Sequence, residues 1–163
     1  MSKAPAALSA KHILAIQQLQ ARFAQAFDDV PHDAAKTWAD TFTKDGTFAL
    51  LDPSGAVQMQ AQGTEELIAM HDRLADPAKR HWYTNLLIEP APGGASMQFY
   101  LMTVRTRDLA IERTAIYRDT LVKVRGAWKL KSCTVTLDAG AGGTSKKTAR
   151  RKRAAGRSKS GRR

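Results

Sequence analysis

"KRHWYTNLLIE", Lys79 to Glu89, is the stretch on which the reading of this chain turns. It opens on two cations and a histidine, then alternates aromatic, polar and apolar side chains with the period of two that marks a β-strand. Strict alternation puts His81, Tyr83, Asn85, Leu87 and Glu89 on one face and Trp82, Thr84, Leu86 and Ile88 on the other. Both faces are partly apolar. One is expected to line a cavity while the other packs on a helix or a second subunit. The residues alone leave His81 open between proton chemistry and a hydrogen-bonded structural role.

Downstream, the pattern continues as strands over about 95–107, 112–125 and 127–137, with turns at "PAPGG" and Arg125-Gly126. Upstream, Ile13, Ile16, Leu19, Phe23 and Phe27 recur at steps of three and four and predict an amphipathic helix over about 9–28. Pro31 favours a second helical start, whose inner face is Ala34, Ala35, Trp38 and Phe42 and which "KDG" ends. "TFALLDPSGAVQMQAQ" reads as a hairpin around Asp52-Pro53-Ser54-Gly55. Glu65 and Glu66 begin a third helix carrying Leu67, Ile68, Met70 and Leu74. Three helices and a meander of long strands make an α+β pattern. A curved sheet folded over the helices would form a cone with one mouth, a shape suited to a small ligand.

The net charge of +11 suggests a nucleic-acid binder until it is divided along the chain. Residues 139–163 hold 10 of the 26 Lys and Arg and none of the 15 acids, leaving 16 cations against 15 acids in 1–138. That carboxy-terminal segment has no apolar residue larger than alanine and is expected to be a disordered basic tail. Its cations, concentrated in 146–163, could contact a phosphate backbone without base stacking, since it holds no aromatic residue. The lone Cys133 excludes an internal disulfide and reads as a buried, inert thiol. The amino terminus makes a poor signal peptide and no apolar run could span a bilayer, so the expected location is cytoplasmic. No metal-ligand spacing and no phosphate-binding loop occur, and no cofactor is expected.

Four segments in order resemble the nuclear-transport-factor-2-like cone fold, in the branch of the SnoaL-like polyketide cyclases. "LAIQQLQARFAQAFDD" is similar to that family's first helix, and "WADTFTKDGTF" to its Trp-x-x-x-Phe-x-x-Asp-Gly segment. "RHWYTNLLIE" resembles its His-x-x-x-Asn strand, and "YRDTLVKVRGAWKL" its closing hairpin. The resemblance implies a cone-shaped α+β barrel over residues 1–138, with three N-terminal helices packed on a strongly curved mixed or antiparallel sheet.

Scytalone dehydratase and a dehydrochlorinase in this branch use an aspartate–histidine pair. Helical spacing does not choose between Asp28 and Asp29 as the aspartate; similarity to the dehydrochlorinase pattern selects Asp28, with His81 as its partner. The resemblance thus implies a cofactor-free lyase or isomerase abstracting a proton from a small hydrophobic substrate. The second pocket histidine of scytalone dehydratase has no counterpart in "FYLMTVRTRD". Tyr83, Asn85 and Tyr117 are the candidate substrate-binding residues. Asp119 is expected to pair with a neighbouring arginine, and Trp38, Trp82 and Trp128 to pack. His12 and His71 are expected to face solvent, His71 on the third helix beside Asp72 and Arg73, and His32 falls in the first turn of the second helix. The alternative is a non-catalytic ligand-binding module resembling dioxygenase small subunits, with the tail contacting nucleic acid. The second apolar sheet face makes homo-oligomerisation an expectation.

Overall fold

The stripe of Ile16, Leu19, Phe23, Ala26 and Phe27 is the buried face of α1 (Ala10–Asp28). In the computed structural model, which describes residue 5, residues 7–28 and residues 33–140, this helix packs across one face of a sheet. α2 (Ala34–Ala39) and α3 (Thr64–Leu74) complete the helical layer. The strands are β1 (Phe42–Leu51), β2 (Val57–Gln62), β3 (Lys79–Ala91), β4 (Gly94–Arg105), β5 (Ile111–Val124) and β6 (Ala127–Leu137). Their order across the sheet is β2-β1-β6-β5-β4-β3. All neighbours are antiparallel except β1 and β6, which run parallel. The fold is α+β on a mixed sheet, as expected, and the sheet stays open, with β2 and β3 as its edges.

Turn chemistry set the hairpins as the sequence suggested. Asp52 Oδ1 accepts from the Ser54 and Ala56 backbone N–H groups and from the Ser54 hydroxyl, closing the β1–β2 turn. Arg125 and Gly126 both have positive φ, 50° and 85°, the signature of a tight type I′ hairpin between β5 and β6.

Four expectations are corrected. α2 stops at Ala39: the Thr41 N–H and hydroxyl both turn back to the Trp38 carbonyl, at 3.0 and 2.6 Å, and Phe42 already belongs to β1. Lys44-Asp45-Gly46 therefore lies inside β1, where Phe42 pairs with Leu130 but Thr47 with Ser132. The excess residues bulge out, and Gly46 permits it, since a Cβ there would stand 2.9 Å from Phe42 Cβ.

The second correction concerns the opening stretch. β3 carries a bulge between Thr84 and Leu87, with Asn85 at φ 55°. One extra residue reverses the alternation. Leu86 and Ile88 join His81 and Tyr83 against the core, while Asn85 and Leu87 turn to solvent. Third, His71 is buried, 2% exposed, and its Nε2 lies 2.9 Å from the Ala26 carbonyl oxygen, tying α3 to α1. It falls four residues after Leu67, on the same helical face. Fourth, Trp82 is 51% exposed on the outer sheet face, whereas Trp38 and Trp128 are buried. The basic segment 141–163, Asp29, Pro31 and His32 lie outside the described residues.

Candidate active site

Two element ends build the site. Asp28 is the last residue of α1, where the helix dipole disfavours a carboxylate, so fixed donors must hold it. His81, near the start of β3, supplies two. Its backbone N–H donates to Asp28 Oδ2 at 2.9 Å, and its Nδ1 lies 2.5 Å from Asp28 Oδ1. A carboxylate only accepts, so Nδ1 carries the proton and, in the neutral ring, Nε2 keeps its lone pair. Phe27 meets the imidazole edge-on at 4.9 Å and 89°, and Tyr83 stacks on it at 6.2 Å and 19°. Both partners are largely shielded, with side-chain exposures of 13% for His81 and 14% for Asp28. The ring is thus fixed in orientation and tautomer, and Nε2 has no hydrogen-bond partner among the described residues.

His81 forms part of the wall of a partly open cavity. Phe27, Phe48, Leu101 and Val135 give that wall its apolar character. His81, Thr103, Arg113 and Tyr117 interrupt it. The register explains the polar group. His81 pairs with Thr103 across β3–β4, and Thr103 with Arg113 across β4–β5, so the three form one row across neighbouring strands.

Of the remaining sequence candidates, Tyr117 lies in the cavity wall and is buried. Tyr83 packs behind it, 5.4 Å away between ring centroids, outside the wall. Its hydroxyl is buried and reaches no partner in hydrogen-bonding geometry, although the Tyr117 hydroxyl adds to its electrostatic surroundings. Burial pushes both phenols up from their ordinary pKa, so both remain neutral. Asn85, exposed at the bulge, does not line the cavity, and its expected substrate contact has no support in this geometry.

Asp119 has no arginine partner among the described residues. It is 4% exposed, and burial pushes its carboxyl up to about 8, against the opposing influence of the Cys133 thiol and the Thr134 backbone N–H. Arg118, its neighbour in sequence, points to the opposite, exposed face. Burial raises the Cys133 thiol in turn, in keeping with an unreactive cysteine. Neither Thr103 nor Arg113 was picked out from the sequence. Strand alternation does place Arg113 on one face with Tyr117, but only the register sets Thr103 and Arg113 in one row with His81. Among the described residues no group of three or more His, Cys, Asp or Glu could hold a metal ion, and no helix is long and apolar enough to cross a membrane.

Comparison with known proteins agrees with this architecture. No curated protein matches the chain by sequence. Among solved structures, a Nostoc punctiforme protein of unknown function with a cystatin-like fold is 30% identical, with a TM-score of 0.67 over 80% of this chain and 94% of its own. A Catenulispora acidiphila protein in complex with S-DNPA is 27% identical, with a TM-score of 0.63, covering 79% of this chain and 95% of its own. Aln2 from a Streptomyces species is 25% identical, with a TM-score of 0.65, covering 78% and 91%. The family model of the SnoaL-like domain matches residues 9–134, which hold every strand but the end of β6 and both members of the aspartate–histidine pair, and the chain belongs to that family.

Proposed function

We propose that the cavity binds a small hydrophobic molecule and that His81, oriented by Asp28, removes a proton from it, making the protein a cofactor-free lyase or isomerase. The observation that carries this reading is the doubly bonded Asp28–His81 pair, with Nε2 unpartnered among the described residues and the ring in the cavity wall. Asp28 fixes the tautomer and stabilises the imidazolium that forms when Nε2 accepts a proton from carbon. Tyr117, neutral and in the same wall, can donate to an oxygen on which negative charge develops. The mainly apolar wall selects an apolar body and limits water near the base. A solved structure 27% identical to this chain is a complex with S-DNPA, which supports ligand binding here.

The test screens enolisable ketones and β-substituted carbonyl compounds for turnover, then compares His81→Ala with the unaltered chain. Turnover should fall by about 10²–10⁴-fold while the circular dichroism spectrum is kept. An unchanged rate in a folded variant would remove His81 from the mechanism. The non-catalytic binding reading then becomes the better one.

A further inference from the structure

The cavity wall carries more positive charge than its own carboxylates neutralise. Its charged members are Lys79, Arg113 and Glu112, beside His81. Glu112 is fully engaged elsewhere: Oε1 accepts from Arg105 Nη1 at 2.9 Å, and Oε2 lies 3.2 Å from Lys79 Nζ. Lys79 is further paired with Asp76 at 3.1 Å, and Arg105 with Asp108. Asp28 is bonded twice by His81. Arg113 is thereby left with no ion pair or hydrogen bond among the described residues, on the cavity-facing side of β5 with Ala115 and Tyr117. Thr103, buried between it and His81, has no side-chain partner either. Adjacent strands lie about 4.8 Å apart, so the Arg113 and His81 backbones are about 10 Å apart, the length of a two-ring molecule.

We propose that the cavity takes an apolar molecule bearing a carboxylate or comparable anionic group, and that Arg113 holds this group while the body of the molecule lies past Thr103 toward His81. The proposal rests on reading the cavity as a ligand site, and it names the class of ligand. A planar guanidinium with free donors matches a carboxylate fork to fork, and the apolar wall accommodates the rest of the molecule. Arg113 is a specificity-determining residue in this scheme, and it takes no part in proton transfer. Because it is exposed, solvent screens the contact and the expected effect is moderate.

Calorimetry on the full chain with 2-naphthoate and its uncharged counterpart 2-naphthamide tests the assignment. The unaltered chain should bind the carboxylate about tenfold more tightly. Arg113→Gln should erase that preference without changing the affinity for the amide, and His81→Gln should keep it. Both variants retain the basic residues 146–163, so any contribution from them cancels. The proposal is overturned if neither compound binds, if the two bind equally, or if the preference survives in Arg113→Gln. A preference lost in His81→Gln and kept in Arg113→Gln would move the anion to the histidine. Failure of the proton-abstraction reading shows separately: turnover by His81→Ala equal to that of the unaltered chain leaves the Arg113-dependent preference untouched.

Discussion

Asp28 accepts from two atoms of one residue, and that double contact distinguishes orientation from simple charge pairing. Asp28→Asn retains the size of the side chain but offers an amide that can satisfy Nδ1 only through its carbonyl oxygen. The variant should lose about 10²–10⁴-fold in kcat with a smaller change in KM, because substrate binding by the apolar wall is unaffected. Steady-state kinetics checks the split. Asp119 carries a different prediction. Its folded pKa is raised to about 8 from the ordinary value of 3.8, because burial favours the neutral acid. The folded state therefore binds more protons than the unfolded one between those values, and stability is lost as pH rises through that window. The loss is on the order of 5 kcal/mol by about pH 8. Urea unfolding should show Asp119→Asn with a flatter profile and a clear gain over the unaltered chain at pH 8–9. An identical pH dependence in both would refute the assignment of a neutral acid.

At the scale of elements, the β3 bulge decides which residues face the site. Asn85 sits at φ 55°, a conformation open to Asn and Gly and strained for β-branched side chains. Asn85→Gly should be close to neutral, and Asn85→Val should cost about 1–2 kcal/mol in urea unfolding. Gly94 is tighter still: an added Cβ would stand 1.9 Å from the Leu121 carbonyl oxygen. Gly94→Ala should push the β4–β5 ladder apart and cost about 1–3 kcal/mol.

These elements also mark what the sequence could reveal. α1, α3 and the four long strands were legible because their apolar periods run long and turn residues bound them. The bulge at Asn85 was not, since a single extra residue has no compositional signature and yet reverses every later side chain. Asp28 and His81 are 53 positions apart, and their pairing came from resemblance, which periodicity could not supply. His71 was legible in principle, at i+4 from Leu67, but its polarity argued for solvent and the Ala26 carbonyl that satisfies it lies 45 positions away. Asp119 was misread for the same reason: a charged residue type suggested an ion pair where burial makes a neutral acid.

At the scale of the whole chain, the excess of positive charge lies in sequence beyond the residues that form the cavity. The basic residues after Gly140 lie outside the described structure, and the family match ends at residue 134. Removing 141–163 should leave turnover unchanged and abolish salt-sensitive binding to polyanions, read by retention on heparin. Retention persisting after the deletion would assign the positive field to the folded part instead. The outer sheet face, with Trp82, Leu87 and Tyr100 exposed at 51%, 52% and 45%, presents apolar surface on the side away from the dyad. Among the described residues, those of this outer face contribute nothing to the cavity wall around His81.

The central claim is that His81 Nε2 takes a proton from carbon. The most direct measurement is deuterium incorporation into an enolisable bicyclic ketone in D2O, followed by proton NMR with the unaltered chain and with His81→Gln. Enzyme-dependent loss of the α-proton signal should occur with the first and fall to the uncatalysed rate with the second, both folded by circular dichroism. Equal exchange rates with the two proteins would contradict the account.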